Sequence, residues 1–81
     1  MLGPRFYYEV RDGDIHARDD EGEVFADRKA ARDNAVMLLT EMARSLPSRG
    51  KDQNKITASV RDETGKLIFT ATLSLDVQWN D

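Results

Sequence analysis

The fold is decided by the stretch DRKAARDNAVMLLTEMARSL, which occupies residues 27–46. At about 100° per residue, its apolar side chains fall in one arc roughly 100° wide, the width of a helical stripe that faces a core. Lys29, Asp33 and Glu41 fall on the opposite side. The stretch therefore predicts one amphipathic helix with Asp27 as its N-cap and with these core-facing residues: Ala31, Ala35, Leu38, Leu39, Met42 and Leu46.

A predicted β-hairpin precedes this helix. Residues 5–10 alternate, with Phe6, Tyr8 and Val10 on one face, which is typical of a strand. The dipeptide Asp12-Gly13 follows and favours a tight turn, so that residues 14–18 form a short returning strand.

A second predicted hairpin follows the helix. Pro47 ends the helical pattern, and residues 48–54 have no periodicity, which indicates a surface loop. Residues 56–61 form the next strand, and residues 62–65 turn the chain back. From Leu67 to Trp79 every odd residue is apolar. Pairing residues 56–61 across the turn uses only residues 66–71, so the segment from Leu73 to Trp79 is predicted to lack a partner strand.

The predicted fold is therefore α+β, with the order β-β-α-β-β. Four mainly antiparallel strands form one sheet, and one long helix packs on one face of it. A chain of 81 residues is expected to form a single domain over 1–81. Its core spans about 4–73, and residues 74–81 form a C-terminal strand extension.

The composition narrows the possible classes of function. The chain is 40% hydrophobic and 33% charged and contains no cysteine, which excludes disulfides and thiolate metal sites. No apolar run has the length of a signal peptide or a membrane span. These features predict a cytoplasmic protein without membrane contact. The net charge of −3 argues against general affinity for nucleic acid.

Four short motifs resemble a family of short, uncharacterised bacterial proteins that is frequent in alphaproteobacteria and is known only as a domain of unknown function. The resemblance covers about residues 4–71, and the tail 74–81 looks particular to this chain. Family members often carry a histidine where this chain has Glu9. The resemblance implies the fold and no activity. It rests on Pro4-Arg5-Phe6-Tyr7-Tyr8 with Val10, Asp12 and Gly13, on Asp20-Glu21-Gly22, on Ala30-Ala31-Arg32 with Ala35, and on Val60-x-Asp62-Glu63-x-Gly65.

No set of residues predicts catalysis. His16 is the only histidine, and its expected position on the outward face of a strand gives a solvated imidazole rather than a general base in a pocket. The acidic residues of segment 19–23 do not follow the spacing of a calcium loop and are interpreted as a solvated turn. We therefore expect no enzyme activity, no cofactor and no metal ion.

Self-association is the functional hypothesis that the sequence favours. The alternation places Tyr7 and Ile68 on the sheet face away from the helix, where a second sheet could pack. The apolar end of the last strand, which is predicted to be unpaired, favours pairing with another strand or subunit. A homodimer is predicted, with another protein partner as a further possibility. The predicted contact residues are Tyr7, Ile68, Leu73, Leu75, Val77 and Trp79.

Nucleic-acid binding is the alternative from another class. Arg49, Lys51 and Lys55 make the loop after the helix basic, and the outward sheet face carries an aromatic ring, Tyr7, among arginines. The acidic net charge weakens this hypothesis.

Overall fold

One antiparallel sheet and one long helix make up the fold, which confirms the predicted α+β class. The computed structural model describes residues 3–80, so Met1, Leu2 and Asp81, the last residue of the predicted extension, lie outside the described residues. The elements are β1 (Arg5–Asp12), β2 (Ile15–Arg18), β3 (Glu23–Val24), α1 (Arg28–Ala43), α2 (Leu46–Arg49), β4 (Gln53–Arg61) and β5 (Leu67–Asp76).

The strand order is β2-β1-β4-β5, and every pairing is antiparallel. The two-residue strand β3, which the sequence did not predict, pairs with the start of β1 at Arg5 and Phe6. Between these pairings the Asp19 N–H donates to the Tyr8 C=O at 2.9 Å, so β2 and β3 follow the same edge of β1. The opposite edge of the sheet is the outer edge of β5.

The predicted first hairpin is confirmed. Asp12 pairs with Ile15, which leaves Gly13 and Asp14 as a two-residue loop. Gly13 has a φ of 61°, a left-handed value that glycine adopts without steric cost. A positive φ at the first loop position matches the right-handed twist of the flanking strands, and this fixes the register of β1 against β2.

Helix α1 begins as predicted. The Asp27 carboxylate accepts the Ala30 N–H at 2.8 Å and so caps the helix. The helix ends at Ala43, three residues before the predicted end at Leu46. Pro47 is accommodated in the first turn of α2, where its missing N–H has no partner to lose. Leu46 is nevertheless buried, so its predicted place in the core is confirmed.

The core lies between α1 and the sheet and is centred on β4, with β1 and β5 contributing residues on either side. One cluster joins the N-terminal half of α1 to Phe6 and Val60, and the other joins its C-terminal half to Ile56 and Ala58. Leu38 and Met42, both predicted to be core-facing, are only half-buried. The reason is that one helix cannot cover all five strands, and α1 lies closest to β4 and β5.

The prediction that Leu73–Trp79 lacks a partner strand is wrong for residues 73–76. β4 begins at Gln53, inside the segment predicted to be a loop, and it therefore extends far enough to pair with β5 up to Asp76. Leu73 lies opposite Ile56, and Leu75 lies opposite Asn54.

The predicted orientation of Ile68 is also wrong. The alternation predicts that Ile68 points away from the helix, but its side chain packs against the core cluster that contains Phe6 and Val60. A register shift is the physical reason. Val60 pairs with Phe69 and Arg61 pairs with Leu67, so Ile68 is the extra residue of a β-bulge, where side chains no longer alternate.

Candidate self-association surface

The two edges of the sheet differ in length and charge. One edge consists of β2 and β3, which are four and two residues long, are separated by a turn, and carry His16 and Arg18. The other edge is β5, a single strand of ten residues. Natural sheets blunt their edges by shortness, charge or proline, because an open edge pairs with other chains. Only the β2 and β3 edge has such protection along its whole length.

The backbone of β5 presents a regular row of free hydrogen-bonding groups. The Val77 N–H donates to the Asp52 C=O at 2.7 Å, which fixes the phase of the ladder between β4 and β5. In an antiparallel ladder these groups alternate in direction, so the N–H and C=O groups of Thr70, Thr72 and Ser74 point away from β4. Within residues 3–80 no strand pairs with this outer edge.

The side chains of β5 carry no charge from Leu67 to Leu75, and the strand contains no proline. Leu67 is 46% exposed and Leu75 is 45% exposed, so apolar surface is available near both ends of the strand. The combination of a long strand, no charge and exposed leucines is the pattern of an edge that pairs with another strand. We therefore regard the outer edge of β5 as the candidate self-association surface.

Asp52 holds the residues after β5 in place. Its backbone C=O accepts the Val77 N–H, and its carboxylate accepts the Trp79 indole N–H at 2.7 Å. The Trp79 side chain is nevertheless 82% exposed. A fixed, exposed tryptophan is a type of residue that contributes strongly to interfaces. Of the predicted contact residues, Leu75 lies on β5, and Val77 and Trp79 follow the strand and are held by Asp52.

Tyr7 and Ile68, by contrast, are not brought together with this edge. Tyr7 lies on β1 on the face away from α1, as predicted, but it is half-buried. A Cβ atom added at Gly22 would meet the Tyr7 ring at 2.7 Å, so the ring lies directly against the turn that precedes β3. Because Ile68 packs into the core instead, the two residues do not form one outward apolar patch.

The basic loop predicted as an alternative site is partly engaged in structure. The Arg49 guanidinium donates to the Asp12 carboxylate at 2.6 Å and to the Ser45 hydroxyl at 3.0 Å. The hydrogen bond from Arg49 lowers the pKa of Asp12 below its ordinary value, and it raises the pKa of Arg49. Arg49 therefore ties α2 to the end of β1.

Lys51 and Lys55 line an open groove of about 1090 Å³ at the same end of the sheet. Arg11 and Arg49 bring the positive charges to four, but Asp12, Asp14 and Asp76 line the groove as well. The field in the groove is therefore mixed, and it does not form a strongly basic surface.

His16 has an acidic neighbour that sequence reasoning missed. Its Nε2 lies 3.3 Å from the Glu9 carboxylate, because Arg11 pairs with His16 and places Glu9 and His16 on one face. Burial acts to raise the pKa of Glu9, but the nearby His16 and Arg11 outweigh it and lower that pKa. The His16 side chain is still almost half exposed. The pair lies on an open sheet face rather than in a pocket.

The acidic turn before β3 satisfies its own backbone. The Asp19 carboxylate accepts the N–H groups of Glu21 and Gly22 at 3.1 and 3.2 Å.

Among the described residues, no group of three or more histidine, cysteine, aspartate or glutamate side chains is arranged to hold a metal ion. Over the same part of the chain, no helix combines the length and apolar character needed to cross a membrane.

The whole chain exposes more surface than a compact monomer of its mass. Its accessible surface is 6167 Å², against about 4900 Å² expected for a folded monomer. The radius of gyration is 14.7 Å, against about 11.7 Å for a compact chain of this length. The excess surface is larger than the roughly 800 Å² that each partner buries in a standard interface.

A comparison with protein families finds a match over most of the chain. The DUF6894 family, described as a domain of unknown function, matches residues 5–74, and the chain therefore belongs to this family. The predicted membership of an uncharacterised family is confirmed at this level. No curated protein and no solved structure matches the chain. The family match includes β5 up to Ser74 and leaves Leu75, Val77 and Trp79 outside.

Proposed function

We propose that this member of the DUF6894 family is a non-enzymatic module that forms a homodimer through the outer edge of β5. The observation that carries the proposal is the difference between the two edges of the sheet. The β2 and β3 edge is short and charged, whereas β5 offers ten residues without lysine, arginine or proline. A second copy of the chain is the partner that this edge fits, since two identical antiparallel edges are complementary in their donors and acceptors.

The exposed apolar residues support the same partner. Leu75 lies near the end of β5, and Val77 and Trp79 follow the last pair of β4 and β5, which is Gln53 with Asp76. Burying them against a second copy would remove apolar surface from water, at about 25 cal/mol for each Å². We place this module in the cytoplasm, because a small protein without cysteine suits a reducing compartment.

Analytical ultracentrifugation tests the proposal directly. The wild-type chain is expected to sediment with twice its mass of 9.2 kDa. Thr72→Pro removes an N–H that points outward and leaves the ladder with β4 intact, so this variant is expected to be a folded monomer. A wild-type chain that stays monomeric at high micromolar concentration would refute the proposal.

His16→Pro is the matched control. His16 lies on the opposite edge of the sheet, and its N–H also points away from the neighbouring strand, since the N–H of Asp19 points toward β1 and the phase alternates. The control is expected to remain dimeric. Leu75→Lys, which leaves the backbone unchanged, provides a second test of the β5 edge. Dimers that persist in both β5 variants would show that another surface is used.

Nucleic-acid binding is the second candidate, and one observation favours it: Arg11, Lys51 and Lys55 line one groove. Arg49 is excluded from the test, because its loss would disturb the contact with Asp12. Binding to single-stranded DNA at low salt that Lys51→Gln and Lys55→Gln abolish together would support this function. No binding at low salt would end it.

A further inference from the structure

We infer that two chains pair β5 with β5 about a two-fold axis beside Leu73, which joins both sheets into one continuous antiparallel sheet. This inference rests on the proposed homodimer and specifies its register. Both copies of α1 then lie on the same face of the joined sheet.

Backbone direction limits the possible registers. The outward N–H and C=O groups belong to residues of even number between Thr70 and Asp76, as the bond from Val77 to Asp52 establishes. A two-fold axis must bring even residues of one copy opposite even residues of the other. Three registers near the middle of the strand satisfy this condition, with the axis beside Ala71, Thr72 or Leu73.

The bulge selects among these registers. Ile68 interrupts the regular edge, so the regular part begins at Phe69 and continues to Val77, which still bonds to Asp52. Leu73 is the midpoint of this segment. An axis there pairs the segment over its whole length, whereas an axis beside Ala71 leaves Val77 unpaired and brings Leu75 of the second copy opposite the irregular part of the strand.

The side chains agree with this register. On the α1 side of the sheet, Phe69 lies opposite Val77 of the second copy, Ala71 opposite Leu75, and Leu73 opposite its own counterpart. These are apolar pairs of the kind that stabilise strand pairing. On the open face, Thr72 lies opposite Ser74 of the second copy, and no two like charges meet. The exposed apolar residues Leu75 and Val77 are thereby covered.

The position of α1 supports a second copy at this edge. Because α1 lies closest to β4 and β5, and strands lie about 4.8 Å apart, the two copies of α1 would lie about 10 Å apart, within the range of packed helices. Asn34 and Leu38 lie on the flank toward β2. The opposite flank carries Val36, Thr40 and Ala43, is uncharged over this length, and exposes Val36. That flank faces the second helix.

Cysteine crosslinking tests the register, because the natural chain contains no cysteine. Thr72→Cys and Ser74→Cys are exposed on the open face. Directly opposite residues of a hydrogen-bonded pair have Cα atoms about 5.5 Å apart, within disulfide range. Mixing the two variants, one carrying a mass tag, is expected to give the mixed disulfide as the main product upon oxidation.

Each other register has its own product. An axis beside Thr72 crosslinks Thr72→Cys with itself, and an axis beside Ala71 crosslinks Thr70→Cys with Thr72→Cys. Either product as the main one would overturn the inference while leaving the dimer in place. A failure of the proposed function looks different, since the chain would then be monomeric in the ultracentrifuge and no pair would crosslink at low concentration.

Two equally exposed leucines provide a second readout. Leu75 lies inside the inferred pairing, and Leu67 lies before the bulge and outside it. Leu75→Lys is expected to weaken dimerisation at least tenfold, and Leu67→Lys is expected to leave the dissociation constant within about twofold of wild type. Equal weakening by both variants would contradict an axis beside Leu73.

Discussion

The contact between Asp12 and Arg49 is the most buried ion pair of residues 3–80. Asp12 is 7% exposed, and its carboxylate lies 2.6 Å from the Arg49 guanidinium. The contact joins the end of β1 to α2, two elements distant in sequence. Neither residue could be assigned this role from the sequence, because Asp12 suits a turn and Arg49 suits a basic loop equally well.

Asp12→Asn is therefore expected to lower the free energy of unfolding at neutral pH. The loss should be about 1–2 kcal/mol, since a charged hydrogen bond is removed but Arg49 remains partly solvated. Asp14→Asn is the matched control, because Asp14 is an exposed carboxylate of the same turn. Urea titration measures both. A loss in the control equal to that of Asp12→Asn would show that the ion pair contributes nothing specific.

The same pair predicts a dependence of stability on pH. The hydrogen bond from Arg49 lowers the pKa of Asp12 in the folded state below its unfolded value. Its stabilisation is therefore present above about pH 4, the ordinary pKa of aspartate, and is lost as the pH falls through the lowered folded value. The free energy of unfolding of wild type should fall more steeply below pH 4 than that of Asp12→Asn. Parallel pH profiles would contradict this assignment.

The helix α1 shows what sequence patterns predict well. Its N-cap at Asp27 and its buried residues Ala31, Ala35 and Leu39 follow from local chemistry and from a period of 3.6 residues, which tertiary contacts do not alter. Its end at Ala43 was less predictable, because Leu46 continues the apolar period although it belongs to α2. Periodicity therefore located the buried face correctly but not the break in the helix.

Asp27→Ala is expected to destabilise the fold by about 1 kcal/mol, because the Ala30 N–H then loses its acceptor. Asp27→Asn keeps an oxygen at the same position and should lose much less, so it is the matched control. Thermal unfolding followed by circular dichroism measures both. Equal losses in the two variants would show that the charge at Asp27, rather than the cap, matters.

The start of β4 shows what the sequence hides. Asn54 is 9% exposed and occupies an inward position of the strand, where its side-chain N–H donates to the Lys51 C=O at 3.0 Å. A polar residue at a buried position interrupts the alternation that predicts a strand, so the pattern begins only at Ile56. This early start of β4 gives Leu73 and Leu75 their partners. The unpaired backbone groups of β5 are thus those of its outer edge, and the segment without a partner strand begins only after Asp76.

The β-bulge at Ile68 is a second feature that the sequence pattern did not predict. A bulge changes the phase of side chains by one residue, and single-sequence alternation cannot detect it without the partner strand. The outward patch predicted from Tyr7 and Ile68 depended on that phase. The uncharged composition from Leu67 to Leu75, by contrast, was visible in the sequence and is the property on which the candidate surface depends.

The shape of the whole molecule agrees with a dimer that buries an edge. One helix covers one side of a five-stranded sheet, and the chain exposes about 1200 Å² more than a compact monomer would. Pairing along β5 extends the sheet and places two helices side by side. Each copy therefore buries apolar surface that is exposed in the other. Stability and assembly should consequently be linked.

This linkage predicts a melting temperature that rises with protein concentration. When a dimer unfolds to two chains, each tenfold increase in concentration stabilises the dimer by about 1.4 kcal/mol, or roughly 0.7 kcal/mol for each chain. For a domain of this size the melting temperature should rise by roughly 3–5 °C for each tenfold increase above the dissociation constant. Calorimetry from about 5 to 500 μM measures the slope. Thr72→Pro should show none, and His16→Pro should keep the wild-type slope. A wild-type melting temperature independent of concentration would mean that the edge of β5 contributes nothing to the folded state's stability.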